Sequence, residues 1–199
     1  IRYKKDPLFN QEVYDKIIVI DPAGGGDAKG IFTETQAEKD IALEIARKLK
    51  VKLDESDIKA YYTRMDDVNS REEDRIALGN ETKADMYIRI EVNEAKDTGV
   101  YGITAVYNSD YFIPSFGNIE LADCLEREVT TSVKGKALGL VSAGEKDVVL
   151  EKLTVPAATI KVGYLSNSQE AILLSRDEYQ DKIATGIYDA ITKIYAEKH

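Results

Sequence analysis

The chain has 199 residues, of which 43% are hydrophobic and 32% charged, which is enough for one well-packed domain and short for two. Acidic residues outnumber basic residues 36 to 27, and the net charge of -9 argues against a nucleic-acid partner. There is a single cysteine, Cys124, and a single histidine, the last residue His199. These counts exclude zinc sites built from Cys or His, a Ser-His-Asp triad, a Cys-His dyad and an internal disulfide.

The first predicted elements are a strand, a glycine-rich turn and a helix. The β-branched run from Ile17 to Asp21 predicts a buried strand that leads into the turn at 22–26. We expect a tight turn there rather than a phosphate cradle, because the G-x-G-x-x-G and Walker patterns are absent. Apolar residues at helical spacing predict a helix over 36–50, with Glu38 in its first turn, where a carboxylate suits the helix dipole.

Strands and helices continue to alternate along the rest of the chain. Predicted strands cover 58–64, 86–91, 101–107 and 157–162, and predicted helices cover 70–80, 119–133 and 179–194. Cys124 is assigned to the core as a small residue, and Asn167 to a cap or turn ahead of a helix. This alternation predicts an α/β layered sheet.

Functional groups in such a sheet are expected where the strands end. The groups at those positions are Asp21, Glu91 and the region of Lys161, and Glu38 joins them from the first helix. The sequence contains no repeat and no linker-like segment, so we interpret residues 1–199 as one domain with an N-terminal extension over 1–13.

No targeting or membrane-spanning segment is found in this sequence. No stretch approaches about 20 consecutive apolar residues, and the N-terminus has no signal-peptide hydrophobic region. The first residue is Ile1 rather than Met, which is compatible with excision from a longer secreted or membrane-anchored protein.

Five ordered blocks of sequence carry a family resemblance. They are 17–26 (I-I-V-I-D-P-A-G-G-G), Glu38-Lys39-Asp40, Thr63-Arg64 with Asp67, Arg75 and Asn80, 84–93 (A-D-M-Y-I-R-I-E-V-N) and 155–167 (V-P-A-A-T-I-K-V-G-Y-L-S-N). These blocks resemble the zinc-dependent N-acetylmuramoyl-L-alanine amidases of the Amidase_3 type, which cut the bond between the muramic acid lactyl group and L-alanine in peptidoglycan. The resemblance implies a three-layer α/β/α domain with a central mixed, largely parallel sheet.

The same resemblance implies that the zinc centre is lost. The family binds zinc through a His in the glycine-rich turn, the Glu of E-K-D and the His of I-H-A-N, and uses the Glu of V-E-V-G-F as catalytic acid and base. The matching residues here are Gly24, Glu38, Glu91 and Lys161. Zinc hydrolysis needs three ligands, an open water position and a base, and an ammonium repels a divalent ion. We therefore expect no zinc and no amide hydrolysis by the family mechanism.

Lys161 is predicted to take over the positive charge of the metal. Two converging carboxylates without a cation are costly when partly buried, so we expect its ammonium within hydrogen-bonding reach of Glu38, Glu91 or both. A site for calcium, magnesium or manganese on Glu38, Glu91 and Asp21 is the alternative, which the ammonium opposes.

The remaining charged candidates have structural interpretations beside the functional ones. Asp21 is expected to order the turn through backbone hydrogen bonds. Arg64 and Arg75 are candidates for an anionic ligand, but an ion-pair network with Asp66, Asp67 or Asp74 is favoured.

The sequence thus predicts a catalytically inactive amidase-like domain with a binding or regulatory role at a bacterial cell envelope, outside the cell. Its expected partners are peptidoglycan fragments or a cell-envelope protein, held in a groove formed by Asp21, Glu38, Arg64, Glu91, Asn93 and Lys161. Two alternatives stay open. One is a scaffold domain unrelated to peptidoglycan, and the other is an active amidase with a carboxylate-bound metal.

Overall fold

A computed structural model describes residues 3–5, 12–14, 16–144 and 147–197. His199 and much of the predicted N-terminal extension lie outside these residues. In this region, β1 (Tyr3–Lys5) pairs antiparallel with β2 (Glu12–Tyr14), which extends one residue past the predicted extension, in a separate two-stranded sheet. Among the described residues, no helix is both long and apolar enough to cross a membrane.

A six-stranded sheet forms the centre of the domain. Its strands are β3 (Ile17–Pro22), β4 (Lys59–Tyr62), β5 (Met86–Asn93), β6 (Ile103–Tyr107), β7 (Ala137–Ser142) and β8 (Ala157–Tyr164), in the order β4-β3-β5-β8-β6-β7. The first four strands in this order are parallel to each other, whereas β6 runs antiparallel to β8 and carries β7 parallel to itself. The predicted mixed, largely parallel sheet is confirmed.

Helices cover both faces of this sheet. They are α1 (Glu38–Asp54), α2 (Glu72–Glu81), α3 (Asn118–Val133), α4 (Val148–Lys152), α5 (Ser168–Leu174) and α6 (Asp177–Glu197). The larger core lies between the sheet and α1, α3 and α6, and a smaller core lies between the sheet and α2 and α4. This arrangement confirms the predicted three-layer α/β/α architecture.

Alternation along the strands decides which side chains reach the site. On β5, Ile88 and Ile90 enter the larger core, while Tyr87 enters the smaller core. Because successive side chains of a strand point to opposite faces, Arg89 and Glu91 share the face of Tyr87. The face covered by α2 and α4 therefore carries the charged residues.

Two local predictions are confirmed, while several boundaries and elements differ. Cys124 is buried in the larger core, and the Asn167 side chain caps α5 by accepting from the amides of Gln169 and Glu170, each at 3.1 Å. The helix predicted over 36–50 runs from Glu38 to Asp54. The strand β7 and the helix α4 were not predicted from the sequence, and α5 was indicated only by its cap, because a half-exposed edge strand and helices of 5 and 7 residues show little periodicity.

Candidate functional site

The charged residues meet near the carboxyl ends of β3, β5 and β8. The parallel register places Asp21 opposite Arg89 and Glu91 opposite Lys161, so four charges form two adjacent cross-strand pairs. Side chains opposite each other on neighbouring strands lie close enough to interact directly. The sheet itself thus builds a chain of alternating charge.

Asp21 lies at the buried end of this chain and is fully shielded from solvent. It accepts hydrogen bonds from Thr63 at 2.5 Å and Arg89 at 2.6 Å, and it forms an ion pair with Arg75. Burial alone would raise the pKa of the carboxyl, but the two arginines outweigh burial and hold that pKa below its usual value. The prediction that Asp21 bonds to the backbone of the turn is wrong, because it faces arginines instead.

The two arginines order the glycine-rich turn. Arg75 donates to the carbonyl oxygens of Pro22 at 3.0 Å and Gly24 at 2.5 Å, and Arg64 donates to those of Pro22 at 3.1 Å and Ala23 at 2.7 Å. Both arginines are buried, at 3% and 4% exposure respectively. Their N–H groups therefore donate to backbone carbonyl oxygens inside the domain and do not face a solvent-exposed groove.

The predicted network of these arginines with nearby acids is also wrong. Asp66, Asp67 and Asp74 form ion pairs with Arg47, Lys39 and Arg71 respectively. Arg75, on α2, turns inward because Asp21, on β3, is a buried carboxylate, and a buried charge requires a partner.

Arg89 connects the buried half of the chain to the half that faces solvent. Its Nε donates to Glu91 at 2.7 Å, in addition to its bond with Asp21. Burial would lower the pKa of the guanidinium, but Asp21 and Glu91 raise it well above the usual value, so Arg89 is a permanent cation. Sequence reasoning did not single out Arg89, although the alternation over 86–91 places it on the same face as Glu91.

Lys161 lies at the outer end of the chain. Its Nζ is 3.4 Å from Glu91, which confirms the predicted ion pair for that acid. Among the described residues, its ammonium donates no hydrogen bond, and about a quarter of its side chain is exposed. Within residues 16–144 and 147–197, the donors of Lys161 therefore have no acceptor, beside a carboxylate that Arg89 already holds.

Glu38 occupies a different environment from the one predicted. It is 7% exposed, and its two oxygens accept separate backbone hydrogen bonds, from Ile31 and Val92, each at 3.0 Å. Burial, together with the nearby charge of Glu91, raises the pKa of the carboxyl despite these two bonds. Glu38 thus joins the loop before α1 to the end of β5.

A cavity of about 510 Å³ opens above the outer half of the charged chain. Arg89, Glu91, Asn93, Thr104 and Lys161 line its floor, and its walls include Glu72, Val106, Val141, Ser142, Gly144, Asp147, Val148 and Val149. Of the six groove residues named from the sequence, Glu91, Asn93 and Lys161 line this cavity. Asp21, Glu38 and Arg64 are buried behind it.

Asp147 is a cavity residue that the sequence did not suggest. It caps α4 by accepting from the amide of Leu150 at 3.1 Å. Burial raises the pKa of its carboxyl, and the charge of Glu91 raises it further. A helix of only 5 residues shows no clear apolar stripe, so its position against the cavity could be found only from the packing.

The donor atoms around the site do not converge as a metal site requires. Among the described residues, no group of three or more His, Cys, Asp or Glu side chains is arranged to hold a metal ion. Gly24 contributes no side chain, and Arg89 and Lys161 bracket Glu91 on both sides.

Comparison with known proteins gives one consistent family. The family model described as N-acetylmuramoyl-L-alanine amidase matches residues 18–193. The germination-specific N-acetylmuramoyl-L-alanine amidase of Bacillus subtilis is 30% identical over 198 residues, which cover 92% of this chain and 81% of that protein. The crystal structure of an N-acetylmuramoyl-L-alanine amidase from Clostridium difficile 630 has a TM-score of 0.86 at 30% identity, and covers 94% of this chain and 100% of its own.

A further solved relative is the CwlD amidase from Clostridioides difficile, in complex with the GerS lipoprotein. It has a TM-score of 0.83 at 26% identity, and the match covers 92% of this chain and 98% of that one.

Proposed function

The chain belongs to the N-acetylmuramoyl-L-alanine amidase family, and we propose that it is a member that binds cell-wall material without hydrolysing it. The observation that carries this proposal is the ion pair between Lys161 and Glu91, 3.4 Å apart, at two positions where the family's zinc chemistry requires a base and a ligand. The proposal comprises three parts: no metal, no base, and a retained ligand cavity.

The first part is that zinc has no suitable ligand set. Gly24 offers only backbone atoms, and both oxygens of Glu38 already accept backbone hydrogen bonds. Glu91 is the remaining donor, and its carboxylate is shared by Arg89 and Lys161, whose charges repel a divalent cation. The same repulsion opposes calcium, magnesium and manganese, so the residues present do not fit any of these ions.

The second part is that, within the part of the chain that the structure describes, no proton-accepting group stands at the position from which the family's glutamate activates water. Lys161 stands at that position, and an ammonium has no lone pair with which to accept a proton. Its Nζ lies instead 3.4 Å from the carboxylate of Glu91, as the partner of an ion pair.

The third part is that a ligand-sized space remains. A cavity of about 510 Å³ falls within the usual range of small-molecule sites, roughly 300 to 1,000 Å³. Its apolar wall includes Val106, Val141 and Val149, and its floor offers the ammonium of Lys161, which donates to no other described residue. Such a mixed lining suits a short peptide with small side chains and hydrogen-bonding amides, which is the chemistry of a peptidoglycan stem peptide.

We place this function at a bacterial cell envelope, because the relatives include bacterial amidases of germination and of the cell wall. A second candidate is a docking role for an envelope protein. It is supported by the solved complex of a relative, the CwlD amidase, with the GerS lipoprotein. The two candidates differ in whether the cavity or another surface makes the contact.

Loss of hydrolysis is tested by incubating the purified protein with zinc, removing free ions by gel filtration, and measuring bound zinc and amidase activity on peptidoglycan. We expect less than about 0.1 zinc per chain and no release of stem peptides. One equivalent of zinc together with peptide release would refute the proposal.

Ligand binding is tested by NMR titration with a muropeptide at millimolar concentration. We expect signals of Asn93, Glu91 and Lys161 to shift, and Lys161→Ala to weaken binding roughly 10-fold, as expected for loss of a charged hydrogen bond. Lys193→Ala is the matched control, since that lysine pairs with Glu128 on the far side of the domain. If these signals stay in place while a lipoprotein binds, the docking role replaces the cavity role.

A further inference from the structure

We infer that the backbone has closed the position of the family's first zinc ligand, so that restoring the replaced side chains would not restore a metal centre. Gly24, which stands at that position, has a left-handed φ of +68°. A Cβ atom built on it would lie 2.5 Å from the carbonyl oxygen of Ala28 and 2.9 Å from the Cβ of Lys39. Neither neighbour is the far end of a flexible side chain, so a residue larger than glycine requires the backbone to move.

The carbonyl oxygen of Ala28 is held in place by a tight turn. The amide of Gly25 donates to it at 3.0 Å, and the amide of Ala28 donates back to Gly25 at 3.1 Å. Moving this oxygen away from Gly24 breaks the hydrogen bond that it accepts from the amide of Gly25. The crowding at Gly24 is therefore a property of the backbone and not of one rotamer.

Neighbouring elements fasten the same turn from outside. Lys39, on α1, donates to the carbonyl oxygen of Gly26 at 2.9 Å and to Asp67 at 2.6 Å. Asp67 in turn accepts from the amide of Gly26 at 2.8 Å, and Arg75 donates to the carbonyl oxygen of Gly24 at 2.5 Å. A shift of the turn that made room for a histidine would disturb all of these contacts together.

Arg89 is a second obstacle, which the test must separate from the first. Its guanidinium contacts the carboxylate of Glu91 at 2.7 Å, so it lies where a metal ligand at position 91 would act. The family block resembled by 84–93 has serine at this position. Replacing Arg89 by serine removes the charge and leaves the turn as the remaining barrier.

This inference rests on the proposed absence of zinc from the wild-type protein, so zinc loading of the wild-type chain is measured first. The main variant then combines Gly24→His, Arg89→Ser, Glu91→His and Lys161→Glu, and is assayed for zinc per chain after gel filtration. We expect less than about 0.1 equivalent, because the turn blocks the first ligand. About one equivalent in this variant, with none in the wild type, would overturn the inference while leaving the proposed function intact.

A smaller substitution measures the crowding directly, and decides the question if the main variant does not fold. Gly24→Ala is compared with Gly139→Ala, because Gly139 also has a left-handed φ, +86°, but a Cβ there would meet nothing within 4 Å. Both variants place a Cβ at a left-handed φ, and only the first meets Ala28. We expect the Tm of Gly24→Ala to fall roughly 4 to 10 °C further than that of Gly139→Ala. Equal Tm values, within about 2 °C, would show that the turn yields easily and would overturn the inference.

Discussion

Arg89 contacts two carboxylates that the sheet brings together, Asp21 at 2.6 Å and Glu91 at 2.7 Å. Its side chain is 14% exposed, so both contacts are poorly screened by solvent. Removing one partner of a buried ion pair leaves an uncompensated charge, which is the costly way to break it. Lys161 and Arg75 each reach only one of the two acids.

We therefore expect Arg89→Ala to lower the free energy of unfolding by about 3 kcal/mol, as measured by urea denaturation at pH 7. Arg127→Ala is the matched control. That arginine is half exposed and pairs with Asp123 and Glu128, so its loss is expected to cost less than about 1 kcal/mol. Similar losses in the two variants would contradict the central role of Arg89.

Glu38 gives the site a pH dependence of defined sign. Burial, followed by the charge of Glu91, raises its pKa above the unfolded value of 4.5. A raised folded pKa contributes stability that is fully present below pH 4.5 and is lost as the pH rises through the folded pKa. Above that pKa, the folded protein buries an ionised carboxylate, which lowers its free energy of unfolding.

We accordingly expect the unfolding free energy of the wild type minus that of Glu38→Gln to decrease as the pH rises above 4.5. Above the folded pKa, this difference is expected to become constant. Urea denaturation of both proteins over pH 4.5 to 8 measures this difference. A difference that grows with pH would mean that the two backbone amides, and not burial and Glu91, control this group.

At the scale of the element, Asn167 determines where α5 begins. Its side-chain oxygen accepts from the amides of Gln169 and Glu170, and its amide group donates to the carbonyl oxygen of Thr98 at 2.9 Å. These contacts join α5 to the loop between β5 and β6. The cap was predicted from the sequence, whereas the bond across the loop was not.

We expect Asn167→Ala to lower the free energy of unfolding by about 1 kcal/mol, because two helix amides lose their acceptor. Asn167→Asp keeps the acceptor and suits the helix dipole, so it is expected to lose less than half as much. Thermal unfolding of the three proteins measures the effect. An equal loss in both variants would assign the stabilisation to the Thr98 contact instead of the cap.

Central strands could be predicted from the local sequence pattern, whereas an edge strand could not. On β3 and β8 the apolar runs were sufficient, and on β5 the alternation over 86–91 was, because these central strands are largely buried. On β7 the run Ala137–Ser142 is interrupted by Gly139 and lies at the sheet edge, where exposure removes the apolar signal.

At the scale of the whole molecule, the two cores share one sheet. Neighbouring residues of β5 alternate between the two cores. Disruption of β5 therefore disturbs the packing of both cores at once. This connection predicts that the domain unfolds as a unit.

We expect a single cooperative transition with coincident midpoints in far-UV circular dichroism and in the near-UV signal of the tyrosines, since the chain has no tryptophan. Tyr87 reports on the smaller core and Tyr195 on the larger. Two separated transitions would mean that the two faces of the sheet fold independently.

The sequence by itself determined the α/β class and the layered sheet, and the family resemblance of its sequence blocks predicted which residues stand at the zinc-binding and catalytic positions. Hydrophobic periodicity reports local backbone geometry and the face that each side chain occupies, and both follow from neighbours a few residues apart. The pairing of Lys161 with Glu91 was also predictable, because both lie near the carboxyl ends of strands that meet at one edge of the sheet.

Only the tertiary structure decided how the remaining charges are paired. Asp21 is held by Arg75 and Arg89, which are 54 and 68 residues away in the chain. The left-handed backbone at Gly24 and the position of Asp147 against the cavity likewise depend on packing between distant segments. A buried charge selects its partner by strand register and by exclusion of water, and neither is encoded in the spacing of residues along the chain.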